Sequence, residues 1–73
     1  MGILKGVKNM ADVLYRYKRS GRNEEIKIAS LERAMSLAAL NLRENIDPVE
    51  IIVSGVIYDF DKIKQYIKVN NVL

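Results

Sequence analysis

The segment Asp47–Asp59, DPVEIIVSGVIYD, decides the fold class, because its pattern fits both a helix and a β-hairpin. In the helical interpretation Asp47 caps the helix, Pro48 takes the first helical position, and Glu50 stands three residues after the cap. A helix over 48–54 would follow, with the next glycine as its stop. We favour this interpretation, because the cap signal fixes where the helix begins.

The competing interpretation of the same segment is a hairpin. Its two halves, EIIV and VIYD, are rich in β-branched residues. They flank Ser54-Gly55, a dipeptide that is typical of turns. The alternative prediction is therefore an α+β fold with a hairpin at 49–60.

Apolar residues recur at helical spacing on both sides of this segment. The first stripe predicts a helix over 3–19 and comprises Ile3, Val7, Met10, Leu14 and Tyr17. The stretch 23–45 contains no glycine or proline and is rich in alanine and leucine, so we expect a long second helix there. A cap at Asp59 and the apolar stripe after it predict a last helix over 59–69.

The fold predicted from these signals is an all-α bundle of about four helices, with the long second helix at its centre. Residues 1–73 would form a single helical domain, and no internal repeat is evident in the sequence. A chain of 73 residues buries a smaller fraction of its surface than a larger domain does, yet 49% of its residues are apolar. We therefore expect a homo-oligomer, in which a second copy covers part of that apolar surface.

The composition also narrows the possible chemistry. The chain contains no cysteine and no histidine, which excludes disulfides, catalytic triads with histidine, and zinc sites with Cys or His ligands. Its carboxylates mostly stand where helices are expected to begin, and capping accounts for them. We expect no enzymatic activity, no catalytic residue, no cofactor and no metal. The lack of cysteine fits the cytoplasm, and the longest apolar run, 37–40, is too short for integral membrane association.

The positive charges are concentrated at the start of the chain. Residues 1–22 hold six cations and one anion, a net charge of +5, whereas residues 23–73 hold six cations and eight anions, a net charge of −2. The leading functional interpretation is a small binding or regulatory protein that contacts nucleic-acid phosphates with this basic segment. The candidate contacts within its YRYKRSGR stretch are Arg16, Lys18, Arg19 and Arg22.

Large apolar residues crowd the segment 49–58 beyond what a short element can bury. The candidate interface residues are Ile51, Ile52, Val56 and Tyr58. The alternative function is a protein–protein adaptor or inhibitor that acts through this surface as a dimer. A third interpretation, in which the start of the chain lies on an anionic membrane as an amphipathic helix, ranks below both.

Overall fold

The computed structural model describes residues 13–72 and shows an α+β fold, so the prediction of an all-α bundle is wrong. Four strands form one sheet in the order β2-β1-β3-β4, and every neighbouring pair is antiparallel. The elements in chain order are β1 (Val13–Arg19), β2 (Arg22–Ile28), α1 (Leu31–Arg43), β3 (Asp47–Val53), β4 (Val56–Asp59) and α2 (Phe60–Val69).

The described chain consists of two successive units, each a hairpin followed by a helix. Both hairpins turn through a Ser-Gly pair in which each residue has a positive φ: 53° and 79° at Ser20-Gly21, and 50° and 78° at Ser54-Gly55. Two left-handed residues in a two-residue loop are typical of the type I′ turn, whose twist matches that of the strands. The units meet at the β1–β3 pair in the middle of the sheet. The repetition of the hairpin–helix unit was not predicted from the sequence.

The predicted helix over 3–19 is replaced by β1, which begins at Val13; the part of that prediction before Val13 lies outside the described residues. Val13, Tyr15 and Tyr17 are buried, while the residues between them are half-buried or exposed. This period of two is the signature of a strand with one face on the core. Pairing with a strand on each side outweighs the local helical spacing, because the pairing places both tyrosines in the core.

The predicted helix over 23–45 is divided into a strand and a shorter helix. β2 takes residues 22–28, and α1 begins only after Ser30. The Ser30 hydroxyl accepts a hydrogen bond from the backbone N–H of Arg33 at 3.2 Å, so this serine is the cap. The predicted helix therefore begins eight residues too early. The composition of 23–29 favours a helix, but the Ser20-Gly21 turn pairs this segment with β1 as a strand.

The segment 47–59 forms a hairpin, so the predicted helix over 48–54 is wrong and the alternative hairpin at 49–60 describes this region. Pro48 is buried in β3 beside a bulge: it lies opposite Tyr17, Glu50 lies opposite Arg16, and Val49 is the extra residue between them. Bulges tolerate proline, because the missing N–H is not needed there.

The predicted last helix is confirmed. α2 spans Phe60–Val69, and the Asp59 carboxylate accepts a hydrogen bond from the backbone N–H of Lys62 at 2.9 Å. Cap and apolar stripe are both local signals, so this helix could be read without knowing its tertiary partners.

Both helices pack on the same face of the sheet, which we call the helix face; the other is the open face. The core between them comprises Val13, Tyr15, Tyr17, Ala34, Met35, Ala38, Ile51 and Ile63. Within it, the Tyr15 hydroxyl donates a hydrogen bond to Oδ1 of the buried Asn41 at 2.7 Å. This bond ties β1 to α1 and satisfies a buried amide oxygen that would otherwise be costly.

We expect Tyr15→Phe to lower the free energy of unfolding by about 1–3 kcal/mol at neutral pH, because it leaves Oδ1 of Asn41 buried without a donor. Denaturant titration followed by circular dichroism measures this loss. Tyr58→Phe is the matched control and should change stability by less than about 0.5 kcal/mol, because Tyr58 is half-buried.

The same pair of variants tests the pH dependence. Burial, with a smaller effect of Tyr17, raises the pKa of Tyr15 above the usual value of 10.0. A raised pKa in the folded state means that the stabilisation is complete below pH 10.0 and is lost as the pH rises further. The stability gap between wild type and Tyr15→Phe should therefore narrow above pH 10.0; a constant gap would contradict this assignment.

Candidate functional site

The two edge strands of the sheet differ in chemistry. β2 carries four charged residues along its seven positions: Arg22, Glu24, Glu25 and Lys27. β4 carries only Asp59, and its Val56 and Ile57 are 53% and 51% exposed. Charges along an edge strand discourage pairing with another chain, whereas an apolar edge invites it. Among the described strands, β4 is therefore the edge suited to docking.

A groove of about 340 Å³ lies beside this edge, between β4 and the outer flank of α2. Its lining residues are Tyr58, Lys62, Gln65, Tyr66, Val69 and Asn70. The rings of Tyr58 and Tyr66 meet edge to face with centroids 6.4 Å apart, and Val69 is 72% exposed. Lys62 is the single charged residue of the lining, so the groove offers mainly aromatic and aliphatic contact area.

An apolar row on the open face leads to the same edge. Leu14 pairs with Ile52, and Ile52 pairs with Ile57, so the three side chains lie side by side across β1, β3 and β4. Leu14 and Ile52 are half-buried, while Ile57 is exposed. Ile57 thus belongs both to the apolar row and to the β4 edge, which makes it the centre of the candidate docking surface.

The next row of the open face is charged and holds Arg16 in place. Nε of Arg16 lies 3.0 Å from Oε1 of Glu25, and its Nη1 lies 2.9 Å from Oε2 of Glu50. The three residues are direct neighbours in the register of β2, β1 and β3. One of the four candidate phosphate contacts is therefore bound to two carboxylates of its own chain.

The other three candidate phosphate contacts lie at the β1–β2 turn. Lys18, Arg19 and Arg22 are exposed, and none of them forms an ion pair with another residue of 13–72. The guanidinium of Arg19 lies 5.9 Å from the centroid of the Tyr17 ring. This cluster, which we call the turn cations, is what remains of the basic segment as a free positive surface in the described part of the chain.

Carboxylates lie close to the turn cations and limit their field. Asp47 pairs with Lys18 across β1 and β3, and Glu24 pairs with Tyr17 across β1 and β2. Glu24 is also the main cause of the raised pKa of the Tyr17 hydroxyl.

A second groove, of about 500 Å³, opens beside these residues and is lined by Arg16, Tyr17, Asn23, Glu24, Glu25 and Val49. Its charged groups are of both signs, and Arg16 and Glu25 bind each other.

The four candidate interface residues lie in four different environments. Ile51 is fully buried in the core and has no surface for a partner. Ile52 is half-buried in the apolar row, and Tyr58 lines the groove beside α2. Val56 is exposed on the β4 edge, together with Ile57, which the candidate set omitted.

Glu25 and Ile57 were not among the candidate site residues, although the sequence carries a signal for the partner of each. A two-residue turn pairs residues that are equally distant from it. Counting back from Ser20-Gly21 places Arg16 opposite Glu25, and counting back from Ser54-Gly55 places Ile52 opposite Ile57. Interpreting both Ser-Gly pairs as hairpin turns would have predicted the Arg16–Glu25 ion pair and the Ile52–Ile57 part of the apolar row, but not the contact of Leu14 with Ile52.

Comparison of the chain with protein-family models, with curated proteins and with solved structures finds no significant match. Within residues 13–72, neither helix is long and apolar enough to cross a membrane. The same residues contain no group of three or more acidic side chains placed to hold a metal ion.

The ion pairs of Arg16 can be tested by replacing it with methionine. We expect Arg16→Met to lower stability by up to about 1 kcal/mol at low salt, because Glu25 and Glu50 then lose their shared cation. The loss should shrink in high salt, which screens exposed charges. Lys27→Met, also on a strand, is the control and should have little effect, since Lys27 is exposed and forms no ion pair among the described residues. An equal loss in both variants would contradict the structural role of Arg16.

Proposed function

We propose that the protein is a small non-enzymatic binding protein that engages another polypeptide through the β3–β4 hairpin. The observation that carries this proposal is the apolar, exposed edge of β4, where Val56 and Ile57 are more than half exposed. An edge strand presents a row of backbone N–H and C=O groups that an added strand can pair. The protein partner predicted from the sequence would thus dock on the same hairpin, by strand addition.

The surroundings of the β4 edge support strand addition. Side chains of an added strand would point alternately to the two faces of the sheet. On the helix face they would meet the groove formed by Tyr58, Tyr66 and Val69, and on the open face they would meet Ile57. Backbone pairing would supply affinity, and the two apolar contacts would supply specificity.

A non-enzymatic role in the cytoplasm completes the proposal. Three of the described carboxylates have structural partners: Asp59 caps α2, and Glu25 and Glu50 bind Arg16. These roles support a binding protein over a catalyst. The cytoplasm is proposed because the chain contains no cysteine, which fits a reducing compartment.

Site-specific photo-crosslinking in the cells that make the protein tests the docking edge. p-Benzoylphenylalanine replaces Ile57 on the β4 edge or, as the matched control, Ile26 on the β2 edge, which is 36% exposed. We expect crosslinked polypeptides from position 57 and few or none from position 26. Mass spectrometry identifies what is attached. Equal crosslinking from both positions, or none from position 57, would overturn the proposal.

Nucleic-acid binding through the turn cations is the second candidate function. It is favoured by one observation: Lys18, Arg19 and Arg22 are exposed around one turn and lack ion pairs among residues 13–72. Three such groups can contact phosphates independently of base sequence. The pairing of Arg16 with two carboxylates and the carboxylates beside the turn make this candidate weaker than protein docking.

Fluorescence anisotropy with a labelled single-stranded oligonucleotide and a labelled duplex tests this second candidate. If the turn cations make three phosphate contacts, the logarithm of the affinity for a single strand should fall with that of the salt concentration with a slope of about −2. The triple change of Lys18, Arg19 and Arg22 to alanine should weaken binding about tenfold or more. The same change at Lys62, Lys64 and Lys68 is the control. No binding at low salt would exclude the candidate.

A further inference from the structure

We propose that the polypeptide on the β4 edge is a second copy of this chain, bound about a two-fold axis with Ile57 opposite the second copy's Ile57. Two four-stranded sheets would then join into one continuous sheet of eight strands. This inference rests on the proposed function and names its partner.

The β4 edge is complementary to a second copy of itself. An antiparallel strand pair has a two-fold axis perpendicular to the sheet, so one surface can serve both copies. The exposed Val56 and Ile57 would be buried best against another exposed apolar edge strand, and β4 of a second copy is such a strand. β2, the other described edge, is charged and would match it poorly.

The side chains of β4 favour one register for the pairing of the two β4 strands. Residues directly opposite each other in an antiparallel pair share a face of the sheet. An axis at Ile57 places the two Ile57 side chains together on the open face, and Val56 opposite the second copy's Tyr58 on the helix face. Asp59 would then lie opposite a glycine, Gly55. An axis at Tyr58 would instead set Ile57 against Asp59, an apolar group against a charge, so the axis at Ile57 is the better one.

The positions of the helices fit the same arrangement. α2 contacts both β3 and β4, and we place its axis near the midline of these two strands. Strands are spaced by about 4.8 Å, and a helix over that midline would have its two-fold mate about 10 Å away. Packed helices are separated by 8–10 Å in general. The second copy's α2 would therefore close the groove that lies along the outer flank of α2.

The charges at this junction agree with the arrangement. Two helices related by an axis perpendicular to the sheet run antiparallel, so Lys62 in the first turn of one α2 approaches Val69 and Asn70 at the end of the other. A cation near a helix C-terminus is favourable. The two Lys62 residues are kept about 11 Å apart along the helix direction, given 1.5 Å per residue. Lys62 is the single charge in the groove lining, so like charges do not meet there.

Single-cysteine crosslinking of the purified full chain tests the register. Because the natural chain has no cysteine, each introduced thiol reports on its own position. Directly opposite residues of an antiparallel pair have Cα atoms about 4.5–5.5 Å apart, within the range for a disulfide. We expect Ile57→Cys to form a disulfide-linked dimer rapidly under mild oxidation. Ile26→Cys, on the charged edge, is the matched control and should link much more slowly.

Sedimentation equilibrium measures the assembly without a crosslink. The wild type should approach twice the chain mass of 8.3 kDa as its concentration rises. Ile57→Lys should remain monomeric and Ile26→Lys should still dimerise, with circular dichroism showing that both variants fold. A wild type that stays monomeric, or equal disulfide formation at positions 57 and 26, would overturn the dimer.

The two proposals fail in distinguishable ways. A monomeric wild type whose position 57 crosslinks a foreign protein in cells would reject the second copy and keep the docking edge. A monomeric wild type with no crosslinks from position 57 would reject both. A dimer that persists in Ile57→Lys would place the contact on another surface and overturn the inference.

Discussion

The two Ser-Gly turns constrain the rest of the structure. In both turns the serine as well as the glycine holds a positive φ, 53° at Ser20 and 50° at Ser54. This conformation costs an ordinary residue about 1–2 kcal/mol, which the paired strands must offset. A loop of two residues is too short to allow the two strands to pair in another register, so each turn fixes the register of its hairpin. A slip by one residue would move Tyr15 and Tyr17 from the core to the open face.

The same registers distribute the charges. The sequence concentrates a net +5 in residues 1–22, but the sheet sets Arg16 between Glu25 and Glu50. The basic stretch is thereby partly neutralised by its hairpin partner β2 and by the more distant β3, and its remaining described cations lie at the β1–β2 turn. The strand register also determines where the apolar residues lie: Ile51 lies in the core, whereas Ile57 lies on the exposed edge. Docking through β4 is therefore better supported than binding of phosphates.

Elements whose signals lie within a short segment could be predicted from the sequence, whereas elements that depend on strand pairing could not. α2 and its cap at Asp59 were predicted correctly, because cap and stripe lie within a dozen residues. The same kind of evidence failed at Pro48, which is buried at a bulge in β3 rather than at the start of a helix. It failed again in β1, where Leu14 and Tyr17 have helical spacing but lie on opposite faces of the sheet. Strand partners decided both cases, and they lie up to 40 residues away.

The sequence by itself determined that these 73 residues contain no thiol or imidazole, where the last helix lies, and the glycine-containing pairs at which the chain can turn. Composition and local caps carry that information, because they act within a few residues. Only the tertiary structure decided which of two patterns the segment 47–59 adopts, which cations are bound by carboxylates, and which isoleucine lies on an open edge. These outcomes depend on the β1–β3 pairing, whose partners lie up to 40 residues apart, and on packing of the sheet against the helices, which a local pattern does not record.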